Sequence, residues 1–539
     1  MTFMFGNPET RRHQRPAVLA TLLLLVTSAA IRLAAADGVW PSALQAALTA
    51  PAATCQQPQL DGRRLARFYR EASPTLLWIE ETGPLPRAFQ LRAALQRSEE
   101  EGLSIARYGL GAIEARWQAA GPVEQACLDL LLTAAFERFA RDLAQGQLDA
   151  GTADRTWHVQ VPVFDPVATL VGALPETDLA RRLDGLSPAH GLYRRLRAAL
   201  ERYRQLAEQG GWDTTLSGDS LRPGDYGALV AALRKRLHRG GDVDAVPSAV
   251  EHAWDPALTE GVRRFQRRHG LRADGVVGAR TVAALNTPVT ERSAQLRRAM
   301  ERLRWMPRDL GQHYALVNTA AFELAVIEND RSVLGMRAIV GTRDQATPSF
   351  TATLSSLVIN PYWNVPARIA RDKLVPRERR EPGYLAARGF RVLDPTTGRW
   401  REPEAASLRP SMRLRQEPGP GNLMGRLSFV LPNRFDVFLH DTPDRSLFER
   451  EVRACSEGCV RIENALALAL HMLRRSPEWT EQRIQSEIDA LRHRVLTLPE
   501  PIPVYVLYLP SWVDEEGVVH FRPDHYGREA ALAQHFPPR

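Results

Sequence analysis

The sequence is almost devoid of lysine. Only Lys235 and Lys373 carry an ε-amine, so nearly all of the 70 Lys+Arg residues are arginine, and the formal charge of +8 is spread along all 539 residues. No basic tract interleaved with aromatics stands out, which argues against nucleic acid as a partner and makes the arginine skew a matter of base composition. Cysteine is scarce as well: four residues are too few for a disulfide-built scaffold. Beyond the N-terminal region, no stretch is apolar over the roughly 20 residues that a bilayer core requires. What is present, 44% hydrophobic and 24% charged residues, is ordinary globular composition, and the length suggests roughly three or four domains.

Arg11, Arg12 and Arg15 precede an apolar run from Ala17 to Ile31, and Ala34, Ala35 and Ala36 follow it. This is the order of a secretory signal over residues 1–36, with a short tilted anchor as the alternative. Either reading exports the rest of the chain, so Cys55, Cys127, Cys455 and Cys459 are expected in a compartment that permits disulfides. Cys55 and Cys127 are candidates to pair. Cys455 and Cys459 lack a second ligand pair at zinc-site spacing and point to chemistry or its surroundings.

From about residue 57 to 210 the apolar residues recur at helical spacing, over Leu60 to Phe68, Ala88 to Gln96 and Glu124 to Ala144. No catalytic cluster stands out there, and residues 37–212 read as a helical scaffold. A compact helical module follows over 213–290. Asp255-Pro256 is a capped helix start, Leu258, Val262, Phe265 and His269 share one face, and a second helix is expected over Ala279 to Leu285. His269 is expected to be a packed core residue.

From Tyr314 the period becomes two. Strands are expected at Tyr314 to Asn318, Ala321 to Glu328, Val333 to Val340, Leu354 to Ile359, Ser428 to Leu431, Asp436 to Leu439 and Val504 to Tyr508, with Asn329-Asp330 as a turn. Residues 366–416 interrupt this β-rich region as an Arg-, Pro- and Gly-rich insertion with helix potential at Ala367 to Leu374, the position of a lid or binding loop. The fold class expected for the whole is multidomain α+β.

The segment from Val437 to Arg461 carries the chemistry. A thiol attacks an amide carbonyl only as thiolate, and free cysteine is little ionised near neutral pH, so Cys459 needs a base or a cation nearby. His440, at the end of an expected strand, is the candidate base. Cys459 is placed on a Gly-preceded turn leading into the apolar helix Ala465 to Leu473, where a helix dipole would lower its pKa further. The N–H groups of Gly458 and Cys459 are candidates for an oxyanion hole. Ser456 is expected to bond the turn or place the thiol, and Arg461 to orient a substrate carboxylate or brace the loop, with bracing preferred.

Two resemblances bear on these residues. Val262 to Leu271, Asp274 to Gly278 and Thr281 to Leu285 resemble the small peptidoglycan-binding module of many wall enzymes. His440-Asp441-Thr442 followed by Ser456-x-Gly458-Cys459-x-Arg461 resembles the signature of L,D-transpeptidase catalytic domains. Met306-Pro307, Asn360 to Pro366, Pro382 to Leu385, Arg415 to Asn422 and Trp512 to Pro523 agree with the larger periplasmic Gram-negative type of that family. The resemblance implies a scaffold domain, a three-helix wall-docking module and a catalytic domain over 291–525, the last with a capping insertion and followed by a tail at 526–539.

It further implies that Cys459 attacks a stem-tetrapeptide carbonyl, expels D-alanine and passes the acyl group to the side-chain amine of a second stem, forming a 3-3 cross-link in the periplasm. No metal or organic cofactor is required. Trp363, Asn364, Asp441 and Thr442 are the implied substrate contacts, carbapenems the implied covalent inhibitors, and other wall synthases candidate partners. Two positions depart from the family pattern: Phe438 stands where many members have Tyr, and Glu457 where many have His. Glu457 would raise the thiol's pKa unless it points away. Two further readings stay open, a hydrolase using the same cysteine with water as acceptor and a catalytically silent wall-binding protein. Cys455 is either a small buried residue or a disulfide partner that switches Cys459 off.

Overall fold

The computed structural model describes residues 42–537, except 73–74, 119, 176–177, 213–214, 217–219 and 246–250. The expected export signal at 1–36 lies outside the described residues. No helix among the described residues is long and apolar enough to cross a membrane. The chain forms two compact units. The first comprises residues 42–97, 104–140 and 165–184, and the second residues 98–103, 141–164 and 185–537.

In the first unit, helices α1 (Gly62–Ala72), α2 (Pro86–Gln96) and α3 (Pro122–Gln145, whose last residues belong to the second unit) appear where the apolar spacing placed them. Cys55 and Cys127 form a disulfide. The carboxylate of Asp129, fully buried, accepts the backbone N–H groups of Leu77, Trp78 and Ile79 at 3.1, 2.7 and 3.1 Å and the Tyr69 hydroxyl at 2.7 Å. A buried carboxylate holds its place only when its lone pairs are used in this way.

From residue 185 on, the second unit holds α4 (Gly191–Glu208) and then the small module: α5 (Ala228–Arg239), α6 (Pro256–Arg268) and α7 (Ala279–Leu285). Asp255 caps α6 by accepting the Leu258 N–H at 2.7 Å, with Pro256 in the first turn. Leu233, Leu237, Leu258, Val262, Phe265 and Leu285 make the module core. His269 is a core residue as expected, stacked on Phe265 at 3.9 Å between ring centres with its Nδ1 on the Phe265 carbonyl.

Helix α8 (Val289–Arg304) leads into the β-rich region. Its strands are β1 (His313–Asn318), β2 (Glu323–Glu328), β3 (Arg331–Gly341), β4 (Phe350–Ile359), β5 (Trp363–Asn364), β6 (Phe390–Leu393), β7 (Trp400–Arg401), β8 (Leu414–Gln416), β9 (Leu427–Val430), β10 (Leu439–His440), β11 (Ala454–Ser456) and β12 (Val460–Ile462). Helices α9 (Ala465–Met472) and α10 (Glu481–Asp489) follow, then β13 (Arg494–Leu507) and a hairpin of β14 (Ser511–Val513) and β15 (Val519–Phe521). Nine strands form one sheet in the order β11-β3-β12-β10-β9-β4-β13-β1-β2, and β2 also pairs with β3, so the sheet closes on itself. The β1–β2 and β2–β3 ladders are antiparallel, and Asn329 and Asp330 turn between β2 and β3 with φ of 51° and 63°. Leu354, Leu357, Phe429, Leu439, Val460, Leu468, Val504 and Val506 fill the core between sheet and α9.

The insertion is more ordered than its composition suggested. It opens with a helical run over 367–380, containing a π turn at Ala370–Leu374, and continues as a second sheet in the order β5-β8-β6-β7. Its own core holds Leu374, Val375, Leu385, Phe390, Val392 and Leu414.

Candidate active site

Strands β10 and β12 run parallel, with Leu439 opposite Val460 and His440 opposite Arg461. Leu439 and Val460 are wholly buried in the core. Alternation along a strand therefore turns Phe438, His440, Cys459 and Arg461 to the other face together. Cys459, one position before Val460, lies diagonally across from His440.

The thiol does not sit at a helix N-terminus. The three residues of β12 and the Asn464 cap separate Cys459 from α9, and a helix dipole acts only over the first turn, so the expected dipole contribution is absent. Burial instead pushes the Cys459 thiol up, against the opposing pull of the Phe438 N–H and Arg461. The thiol donates to the Asp436 carbonyl at 3.7 Å. His440, buried, is pushed down to about 4 by burial and then by Arg461. Its Nδ1 lies 2.5 Å from the Asp441 carbonyl oxygen. A carbonyl can only accept, so Nδ1 carries the proton and Nε2 the lone pair. The resting pair is thus neutral thiol beside neutral imidazole.

The loop before Cys459 is held by hydrogen bonds. Gly458 adopts φ of 116°, which a side chain rarely tolerates. Its N–H donates to Ser456 Oγ at 3.1 Å, and Ser456 Oγ donates to the Cys459 carbonyl at 2.6 Å, the turn-bonding role expected of Ser456. The Gly458 N–H is thereby committed within the turn, a correction to its place in the oxyanion pair. Thr347, which the sequence pattern did not single out, ties the Gly458 carbonyl to the end of β3: its hydroxyl donates to that carbonyl at 2.8 Å and accepts the Gly341 N–H at 2.9 Å.

Arg461 does not brace the loop through its Nε, which is buried without a partner. Of the expected substrate contacts, Asp441 accepts the Arg426 N–H at 2.9 Å and pairs with Arg445 at 3.1 Å, and Thr442 is buried with its hydroxyl accepting the Asp444 N–H at 3.3 Å. Both side chains are engaged in the turn that follows His440. Trp363 packs on Phe390 at 5.9 Å in the insertion's core, a structural use of its ring, while Asn364 stays largely exposed on β5 opposite Arg415.

Glu457 points away from the sulfur. Its carboxylate is in contact with both Arg368 Nη2 and Lys373 Nζ from the helical start of the insertion, and these two cations hold it below the usual carboxylate range. The side chain feared as a brake on the thiol is instead an anchor for the insertion. Cys455 and Cys459 are both free thiols, and β11 and β12 flank β3 on opposite sides, which works against a bond between them. Phe438 is 42% exposed and contributes its backbone to the site, its carbonyl accepting the Val460 N–H at 2.9 Å.

Comparison with known proteins gives three family matches. Residues 312–478 match the L,D-transpeptidase catalytic domain, residues 226–285 the "Putative peptidoglycan binding domain", and residues 63–200 the "Scaffold domain". A "Putative L,D-transpeptidase" of Haemophilus influenzae is 32% identical over 227 residues, 40% of this chain and 45% of that protein, so the chain spans about half the length of the curated relative it matches. Among solved structures, an L,D-transpeptidase of Xylanimonas cellulosilytica is 18% identical, covering 54% of this chain and 98% of the other, at a TM-score of 0.16. One from Stackebrandtia nassauensis is 12% identical, covering 55% and 97%, at 0.21. Superpositions that poor carry no weight, and the family matches together with the His440 to Arg461 motif do. The chain therefore carries an L,D-transpeptidase catalytic domain of the YkuD family, joined in one polypeptide to a scaffold domain and a peptidoglycan-binding domain.

Proposed function

We propose that this protein is a peptidoglycan L,D-transpeptidase acting outside the cytoplasm, with Cys459 as nucleophile and His440 as base, forming 3-3 cross-links between stem peptides. The observation that carries this reading is the shared sheet face of Cys459, His440 and Arg461, with His440 Nδ1 committed to the Asp441 carbonyl. In the first half-reaction a rotation about the Cys459 side chain brings the thiol from the Asp436 carbonyl to His440 Nε2. The proton passes to the imidazole as sulfur bonds to the donor carbonyl carbon. The carbonyl oxygen becomes an oxyanion facing the Cys459 N–H. The C–N bond then breaks, D-alanine leaves with the proton that His440 returns, and a thioester remains.

In the second half-reaction the side-chain amine of another stem attacks the thioester and His440 accepts its proton. The C–S bond breaks and the thiol is restored. Arg461, with an unpartnered Nε, is suited to a stem-peptide carboxylate. The insertion, anchored through Glu457, caps the acyl chain.

The test is incubation of purified protein with disaccharide-tetrapeptide, followed by mass spectrometry. Cross-linked dimers, absent with Cys459→Ala, are expected. Monomeric tripeptide alone would mean that water is the acceptor. No product, together with no carbapenem adduct on Cys459, would overturn the enzyme reading.

A further inference from the structure

At the sheet edge formed by β1, β2 and the end of α9, three side chains unused by the proposed mechanism converge. His313 opens β1, Glu328 closes β2 directly opposite it in the ladder, and His471 lies in the last turn of α9. His471 Nε2 is 3.4 Å from His313 Nε2 and 3.3 Å from Glu328 Oε1, and His313 Nε2 is 3.5 Å from the same oxygen. These three atoms make a nearly equilateral triangle.

A tetrahedral ion with bonds of about 2.0–2.1 Å has ligand atoms about 3.3–3.4 Å apart, so the triangle has the size of one face of a zinc coordination shell. Two imidazoles and one carboxylate are also the donor set of many such sites, with the fourth position open.

The surroundings supply what ligands of this kind need. Arg474 Nη1 lies 2.5 Å from His471 Nε2 and in contact with Glu328 Oε1. Arginine can only donate, so His471 Nε2 presents its lone pair into the triangle. A tethered cation already rests where a metal would be drawn. Arg474 is partly exposed, and its other nitrogen is 4.0 Å from Glu500, toward which the side chain can withdraw. His313 Nδ1 is buried without a hydrogen-bond partner, and the nearest carboxylate is Glu500 Oε1 at 3.8 Å. A carboxylate behind the far ring nitrogen is the usual support of a metal-bound histidine.

We propose that His313, Glu328 and His471 form a binding site for a divalent first-row metal of the Zn2+ class, with Glu500 as outer support and Arg474 as a displaceable cationic gate. A bound ion pins the β1–β2 hairpin to α9, the helix that follows the nucleophile's strand. The three ligands are separated by 15 and 143 positions and so left no trace in sequence spacing.

The test uses the full chain without a polyhistidine tag. Co2+ titration is expected to give saturable 1:1 visible absorption that Zn2+ displaces, and Zn2+ is expected to raise the unfolding temperature. Both effects should vanish in His313→Ala and His471→Ala and persist in Cys459→Ala. Glu500→Ala should weaken binding by about 10–100-fold. Arg474→Ala should bind more tightly than wild type, a gain that misfolding cannot mimic. The proposal is overturned by the absence of a saturable signal, by a signal that survives both histidine substitutions, or by an Arg474→Ala protein that binds no better.

Discussion

The neutral resting state of Cys459 and His440 is open to direct measurement. With the imidazole at about 4 and the thiol pushed above its ordinary value of about 8.5 by burial, moving the proton from sulfur to nitrogen costs at least about 6 kcal/mol before the two charges attract each other. Attraction at contact distance in an effective dielectric of about 20 returns about 4 kcal/mol. The remaining gap of at least about 2 kcal/mol holds the thiolate–imidazolium form to a few per cent at most. Iodoacetamide reacts with thiolate alone, so alkylation of Cys459 followed by intact mass should be slow at pH 6 and rise steeply only above pH 8.5.

Carbapenem acylation, which in the proposed mechanism draws on His440 as base, should behave differently. It should hold nearly level from pH 7 down to 5.5 and halve near pH 4. An imidazole at its ordinary value of about 6.5 would already have lost about nine-tenths of the rate at pH 5.5. Two results would refute the argument: fast alkylation persisting to pH 5, which would mean a preformed ion pair, or an acylation limb centred near 6.5, which would mean a solvated imidazole.

Other consequences are equally open to test. Because the His440 pKa is lower in the folded than in the unfolded chain, stability should fall as pH drops from about 6.5 to 4, by up to about 3 kcal/mol, and His440→Gln should flatten that slope in pH-dependent denaturation. Glu457→Gln should speed hydrogen exchange over 367–380, since each partly exposed ion pair there contributes up to about 1 kcal/mol, while leaving the alkylation profile of Cys459 unmoved. Replacing Cys55 and Cys127 together by Ser opens a loop of 72 residues' separation, and the first unit should lose about 4 kcal/mol, measured by denaturant unfolding. Ser456→Ala should lower kcat without abolishing folding, because it removes both bonds that shape the turn before the nucleophile.

Much of this arrangement could be read from the chain alone, for reasons that differ by element. Asp255-Pro256 and the helical spacing of Leu258, Val262 and Phe265 are local instructions, and α6 follows them. The strand at Val504 to Tyr508 was found but its length was not, since β13 continues back to Arg494 through three prolines that break the period. β12 was missed because Val460 to Ile462 is too short to show alternation; it exists because β3 and β10 offer it partners on both sides. That tertiary pairing displaced the expected helix dipole from Cys459. The sequence singles out His440 and Cys459 as candidates, whereas Glu457 depends on Arg368 and Lys373, Asp441 in part on Arg426 and Thr347 in part on Gly458, contacts distant in the chain that leave no local mark.

The near-absence of ε-amines has a practical side. Apart from the chain's own α-amine, amine-directed reagents have two addresses, Lys235 on α5 and Lys373 in the helical start of the insertion. Lys373 is held against Glu457, two residues from Cys459, so its reactivity rises whenever that contact opens. A single acylating dye would then act as a gauge of insertion opening during turnover, read by peptide mapping without any engineered label.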